Sequence, residues 1–171
     1  MEKSLMMTEQ KMNRDFYEHC VELIESRGVA IREIAQVGFD LQKAYLPGIT
    51  MDDAESAVRA VLRKREAQFA IMTGLELDRL TEEGLLKGPI ADIIKNDFGL
   101  YGVDEIMALS VVNVFGSIGL TNFGYLDKAK SGVIREIDEK SRNPAQVNTF
   151  FDDLICAIAA AAASKMAHQF T

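Results

Sequence analysis

A chain of 171 residues, 48% hydrophobic and 26% charged, fits a single domain with one core and needs no staples. Its formal net charge of −7 argues against nucleic acid as a partner, because an acidic protein must offset its own repulsion before it approaches phosphates. Cys20 and Cys156 stand at no zinc-ligand spacing from His19 or His168, so neither a disulfide framework nor a zinc site is indicated, and a reducing cytoplasm fits.

The first stretch, MEKSLMMTEQKMNRDFYEHC, lacks the apolar run of a signal peptide, and nothing in it marks export. Helical periodicity predicts a first helix over about 9–27, stopped at Gly28, and a second over about 30–44 that ends before YLPGIT, where Pro47 and Gly48 make a turn. TMDDAESAVRAVLRKREAQFAIMTG then opens on Thr50 with Asp53 three residues on, the spacing of a capped helix start. Arg59, Arg63, Lys64 and Arg65 give that helix a solvated face. A shorter segment, LELDRLTEEG, leads to Gly84, and GPIADIIKNDFG reads as a short helix with Pro89 in its first turn. Almost no segment shows the alternation of a strand, so the class is all-α: a single-domain bundle of about six or more helices with a buried central helix.

Residues 106–126, IMALSVVNVFGSIGLTNFGYL, carry no charge and are long enough to span a bilayer. Three glycines, several polar residues and crowded flanking charges favour a buried central helix of a soluble bundle instead. Within it Ser110, Asn113, Ser117 and Thr121 form a narrow polar stripe, read as close helix packing with local hydrogen bonds. A charged segment of loop or short-helix composition, DKAKSGVIREIDEKSRNPAQ, precedes an alanine-rich C-terminal helix. Two helices apolar all round imply that both are surrounded by others.

Acidic groups bracket those two helices: Asp104 and Glu105 before the first, Asp127 after it, and Asp152 with Asp153 before the second. Each has an ordinary reading. Asp104 has the position of an N-cap, Thr149 with Asp152 the spacing of a capping box, and carboxylates favour helix N-termini. Taken together they are harder to explain, because several carboxylates beside one apolar core are costly without cations, and only Lys128, Lys130 and Arg135 lie near in sequence. An oxygen-only donor set suits Mg²⁺ or another hard divalent ion. From spacing alone, a metal site and solvated caps with salt bridges both remain open. Other phosphate chemistries lack their parts: there is no GxxxxGK[ST] loop, Arg27 follows Cys20 inside a helix pattern, and no Ser, His and Asp arrangement stands out.

YGVDEIMAL, FGYLDKAKSG and FFDDLICAI resemble, in order and spacing, three blocks of the phosphatidylglycerophosphatase A family: an acidic pair with an apolar helix, an LDxxK motif, and a DD pair with a small-residue helix. The resemblance covers about 99–168 and is to the soluble Gram-positive branch of the low-temperature-requirement C type. It implies an all-helical, Mg²⁺-dependent phosphatase acting on the head group of phosphatidylglycerophosphate. On that resemblance Asp104, Glu105, Asp127, Asp152 and Asp153 are the expected ligands of one or two Mg²⁺ ions and, with Lys130, the expected catalytic residues. Lys130 would stabilise charge on the phosphoryl group, and Lys128 is a lesser helper. Ser131 stands where the family has Pro, Val103 where it has Trp, and most of its Gly-rich first block is missing.

The resemblance also implies a phosphate-monoester substrate, a phospholipid head group. The sequence itself reads as a cytoplasmic chain with no transmembrane span, unlike the family's better-known relatives, and a peripheral contact with the inner face of the membrane and homo-oligomers are expected of it. The competing class is a non-catalytic helical protein that binds a divalent cation or lipid head group and assembles with itself.

Overall fold

Across residues 16–170, the part of the chain that the computed structural model describes, the periodic segments become α-helices, with no strand among the described residues. The predicted first helix before residue 16 lies outside them; its remainder is α1 (Tyr17–Ser26), and α2 (Ile31–Gln42) follows. Thr50 caps α3 (Met51–Leu62) as its spacing predicts: its hydroxyl oxygen accepts the Asp53 N–H at 3.1 Å, and the Asp53 carboxylate accepts the Thr50 N–H at 2.8 Å.

The sequence suggests one continuous helix through the RKRE run, but the chain breaks there, with Lys64 in extended backbone. The break separates α3 from α4 (Arg65–Glu82), which also absorbs the segment read as a separate short element. The turn lets Val58, Val61 and Leu62 of α3 and Ala67, Ile71 and Leu75 of α4 bury against a common core. α5 (Pro89–Lys95) carries Pro89 in its first turn, where its missing N–H costs nothing.

The central helix is α9 (Phe151–Phe170). It packs against α2, α3, α4, α6 (Val103–Val112), α7 (Gly116–Ala129) and α8 (Val133–Asp138), and its side chains from Phe151 to Ser164 are all buried. Alanine and glycine make this crowding possible. A Cβ on Gly74 of α4 would stand 2.7 Å from Leu154 Cδ1 and 3.0 Å from Phe150 Cβ, so α4 reaches α9 only because that hydrogen is there.

The uncharged 106–126 stretch does not become the buried central helix that its composition suggests. It bends at a 3-10 turn (Asn113–Phe115), where Gly116 takes φ +78°, and only 28% of the most apolar part of Val103–Ala129 is buried. One face of α6 and α7 lies on α9, with Ala108, Val111, Phe123 and Leu126 buried, and Ser164 anchors the bend by donating to the Phe115 carbonyl at 2.7 Å. The opposite face is open. Ser110, Asn113, Ser117 and Thr121 lie on it, so the polar stripe packs against no helix among the described residues. Its local hydrogen bonds are present: Ser110 donates to the Met107 carbonyl at 2.6 Å and Thr121 to the Ser117 carbonyl at 3.0 Å.

Candidate active site

The fold brings four chain segments to the N-terminal end of α9. Asp152 and Asp153 occupy its first turn, both buried despite their charge. Asp127 comes from the last turn of α7 and Lys130 from its C-cap, where φ +45° places a non-glycine residue in the left-handed region. Asp104 arrives on the first turn of α6, since α6 and α7 fold back on each other across the bend.

Lys130 is the hub. Its Nζ donates to Asp152 Oδ2 at 2.8 Å and to Asp127 Oδ1 at 3.0 Å, and lies 4.0 Å from Asp153 Oδ1 and 3.8 Å from Asp138 Oδ1. Burial pulls the ammonium down, but the charge and hydrogen bond of Asp152, with Cys156 and Asp127 behind them, outweigh it and hold Lys130 above the ordinary lysine range. Burial acts on the carboxyls in the opposite sense to its effect on the ammonium. Burial pushes Asp152 up, and Lys130 opposes the shift. Burial and then the Asp152 charge push Asp153 up as well, with the more distant Lys130 opposing and Asp104 and Asp127 adding to the rise. Asp104 is raised by burial, although it accepts the Glu105 N–H at 2.9 Å.

Two members of this group lie outside the sequence motifs. Asp97, in left-handed backbone at φ +47°, is pushed up by burial and then by Asp104, and Asp138 ends α8 within reach of Lys130. No spacing rule connects either to the site, because only the packing of α5 and α8 brings them there. Glu105 behaves differently from its neighbour: it sits on the exposed side of the turn and makes no ion pair among the described residues. Lys128 is exposed on α7.

The helix carrying the Asp pair starts differently from its sequence expectation. Thr149 and Asp152 form no capping box; the Thr149 hydroxyl donates instead to the Ile94 carbonyl at 2.5 Å, tying α5 to α9. The N–H groups of Phe150 and Phe151 go to Asp78 of α4, at 3.2 and 3.0 Å. Asp78 is fully buried, and its carboxyl is pushed up to about 8 by burial, with Arg27 and the two N–H groups pulling it back. A cap supplied from 72 residues away is invisible to a local motif. Arg27 closes the other side, donating to the Val147 carbonyl at 2.5 Å and to Glu82 at 2.7 Å while lying over the Phe151 ring. Asp104, likewise, is no N-cap: Gly102 takes that position at φ +64°.

Among the described residues no three acidic, histidine or cysteine side chains already surround one point at ligand distance. The donor set nevertheless fits a hard divalent cation. Asp127, Asp138, Asp152 and Asp153 lie within 4.0 Å of a single ammonium, Asp104 and Asp97 are near enough to repel the pair, and burial followed by this mutual repulsion raises the carboxyls of Asp104 and Asp153.

The family model for phosphatidylglycerophosphatase A matches residues 30–168, which takes in every member of this cluster. Among curated proteins, the uncharacterised protein YpjQ of Bacillus subtilis is 49% identical over 147 residues, 86% of this chain and 81% of that one. The uncharacterised protein YutG of the same organism is 47% identical over 146 residues, 85% of this chain and 87% of that one. A protein of unknown function from Bacillus stearothermophilus has the same fold at TM-score 0.90 and 46% identity, covering 95% of this chain and 99% of that one. The low temperature requirement C protein of Listeria monocytogenes matches at TM-score 0.86 and 48% identity, covering 91% and 96%.

Proposed function

The chain belongs to the phosphatidylglycerophosphatase A family, and we propose that it is a Mg²⁺-dependent phosphatase hydrolysing phosphatidylglycerophosphate or a related phosphate monoester. The observation that carries this reading is Lys130, held between Asp127 and Asp152 at the mouth of a buried helix with more carboxylates around it than it can neutralise. Asp104, Asp127, Asp152 and Asp153 would hold the metal, while Glu105 stays at the exposed rim. When bound, Mg²⁺ supplies positive charge for the phosphate oxygens and lowers the pKa of a water.

This chain's own residues do the rest. A phosphate monoester dianion meets a ring of carboxylates, so productive approach depends on neutralising them, and Lys130 is the protein's own cation there. Its ammonium can exchange one carboxylate partner for a phosphoryl oxygen and stabilise the charge that develops as water attacks phosphorus and the ester P–O bond breaks. The buried wall of α9, fixed by Asp78, Arg27 and Thr149, keeps Asp152 and Asp153 in place while this happens.

The test is release of inorganic phosphate from phosphatidylglycerophosphate in detergent micelles, with Mg²⁺ and with chelator. Release that requires Mg²⁺ supports the proposal. Saturable Mg²⁺ binding with no release from that lipid or from soluble phosphate monoesters would move the assignment to a non-catalytic binding protein.

A further inference from the structure

The outward face of α6 and α7 is packed against no helix among the described residues and carries several exposed apolar side chains. Ile106 is 66% exposed, Tyr125 59%, Val114 43%, Leu120 41% and Ile118 37%, and residues 106–126 contribute no charge to the face. The apolar character continues past Val103 into the preceding loop, where Phe98 and Leu100 are exposed. A protein with a net charge of −7 that leaves such a face bare has set it apart from the rest of its surface.

The surroundings of the face point to its occupant. At one end lies the carboxylate cluster, because α6 begins and α7 ends there; Val103 and Ile106 flank Asp104 and Glu105 on the same turn. At the other end, by the bend, Lys64, Lys165 and His168 line a cleft with Val114 and Phe115. Apolar residues between a phosphate-handling site and a basic cleft match the layering of an anionic lipid surface, apolar below and phosphate above. The exposed hydroxyls of Ser110 and Thr121 already donate to their own helix, so neither loses a partner when water leaves.

We propose that the outer face of α6 and α7 docks on an anionic bilayer, with Lys64 and Lys165 on lipid phosphates, and so holds the mouth of the Asp152–Lys130 cluster at head-group depth. The assignment rests on the phospholipid phosphatase reading above and gives that site its route to a substrate that does not leave the membrane. The apolar rim at Phe98, Leu100 and Val103 is then where the acyl chains of a bound lipid pass.

The experiment is flotation of the full-length protein with phosphatidylcholine vesicles, with and without phosphatidylglycerol, beside hydrolysis of a short-chain, monomeric phosphatidylglycerophosphate. We expect the protein to float with the anionic vesicles. Ile118→Asp/Leu120→Asp and Lys64→Glu/Lys165→Glu should each float about tenfold less at unchanged helix content, while keeping hydrolysis of the short-chain substrate. Asp153→Asn should float like the unaltered protein and fail to hydrolyse the short-chain substrate.

Failure of the unaltered protein to float, or flotation of both surface variants at its level, would overturn the docking proposal. So would an unaltered protein that elutes as a dimer and becomes a monomer in Ile118→Asp/Leu120→Asp without any vesicle binding, which assigns the face to a second copy. Normal flotation without hydrolysis of the short-chain lipid strikes the phosphatase reading instead and leaves the docking surface standing.

Discussion

Lys130 Nζ lies 2.8 Å from Asp152 Oδ2, an ion pair that joins the C-cap of α7 to the first turn of α9 across 22 residues of sequence. It locks together the two helices that build the site, and it puts the protein's cation where a metal would compete for the same oxygens. Replacing Lys130 by Ala leaves Asp152 and Asp153 buried without a counter-charge. We expect a loss of about 1–3 kcal/mol, below the range for a fully buried pair because the lysine side chain is 24% exposed. Urea unfolding with and without Mg²⁺ checks this: Mg²⁺ should stabilise Lys130→Ala more than the unaltered protein, and equal stabilisation would deny that metal and ammonium share ligands.

The Asp pair also depends on a residue that no motif contains. Asp78→Ala removes the acceptor for the Phe150 and Phe151 N–H groups, and we expect it to cost about 1–3 kcal/mol as buried donors lose their partner. Asp78→Asn keeps an acceptor oxygen and should cost clearly less. Thermal unfolding of the two variants separates them; equal losses would mean that the cap is not what Asp78 contributes.

This cap shows where sequence reading stops. Helices over Pro89–Lys95 and Phe151–Phe170 are legible because Pro89 marks a first turn and a long charge-free alanine run marks a helix surrounded by others, although the sequence predicts the central position for 106–126. Asp104, Asp127, Lys130, Asp152 and Asp153 are legible because they sit in motifs of fixed order. Asp97, Asp138 and Asp78 are not, since each reaches the cluster or its supporting helix only through tertiary packing. The 106–126 stretch misleads for a related reason: composition reports that a segment lacks charge, not that another element covers it. Its glycines permit the bend that leaves one face open.

Stability should fall as pH rises from about 5 to about 8 in the presence of chelator. Asp78, Asp152 and Asp153 all bind their protons more tightly in the fold than an unfolded carboxyl does, so across this window the folded state holds more protons and rising pH favours unfolding. Glu33, Glu55 and Glu76 shift downward, the first held by Arg142, the second by Arg59 and the third by Arg79. Their stabilisation is complete above about pH 4.5 and is lost only below it, outside the window. Asp78→Asn should flatten the slope, and Mg²⁺ should oppose it, since metal binding strengthens as the carboxyls lose protons. Urea midpoints that stay flat or rise with pH would contradict this.

Gly74→Ala tests the close approach of α4 to the start of α9. Alanine gains about 1 kcal/mol of helix propensity, but its Cβ would meet Leu154 Cδ1 at 2.7 Å and Phe150 Cβ at 3.0 Å, so α9 must shift beside the Asp pair. We expect a net loss of about 1–2 kcal/mol in thermal unfolding together with reduced phosphate release. Unchanged stability would show that the interface has slack.

The most direct measurement compares phosphate release from phosphatidylglycerophosphate by the unaltered protein and by Asp153→Asn, each with saturating Mg²⁺ and at matched helix content. We expect release by the unaltered protein alone, lost on chelation, because the substitution removes one carboxylate charge and one donor oxygen while leaving α9 buried. Equal release by Asp153→Asn, or release that persists without divalent metal, would contradict a carboxylate metal site as the seat of the chemistry.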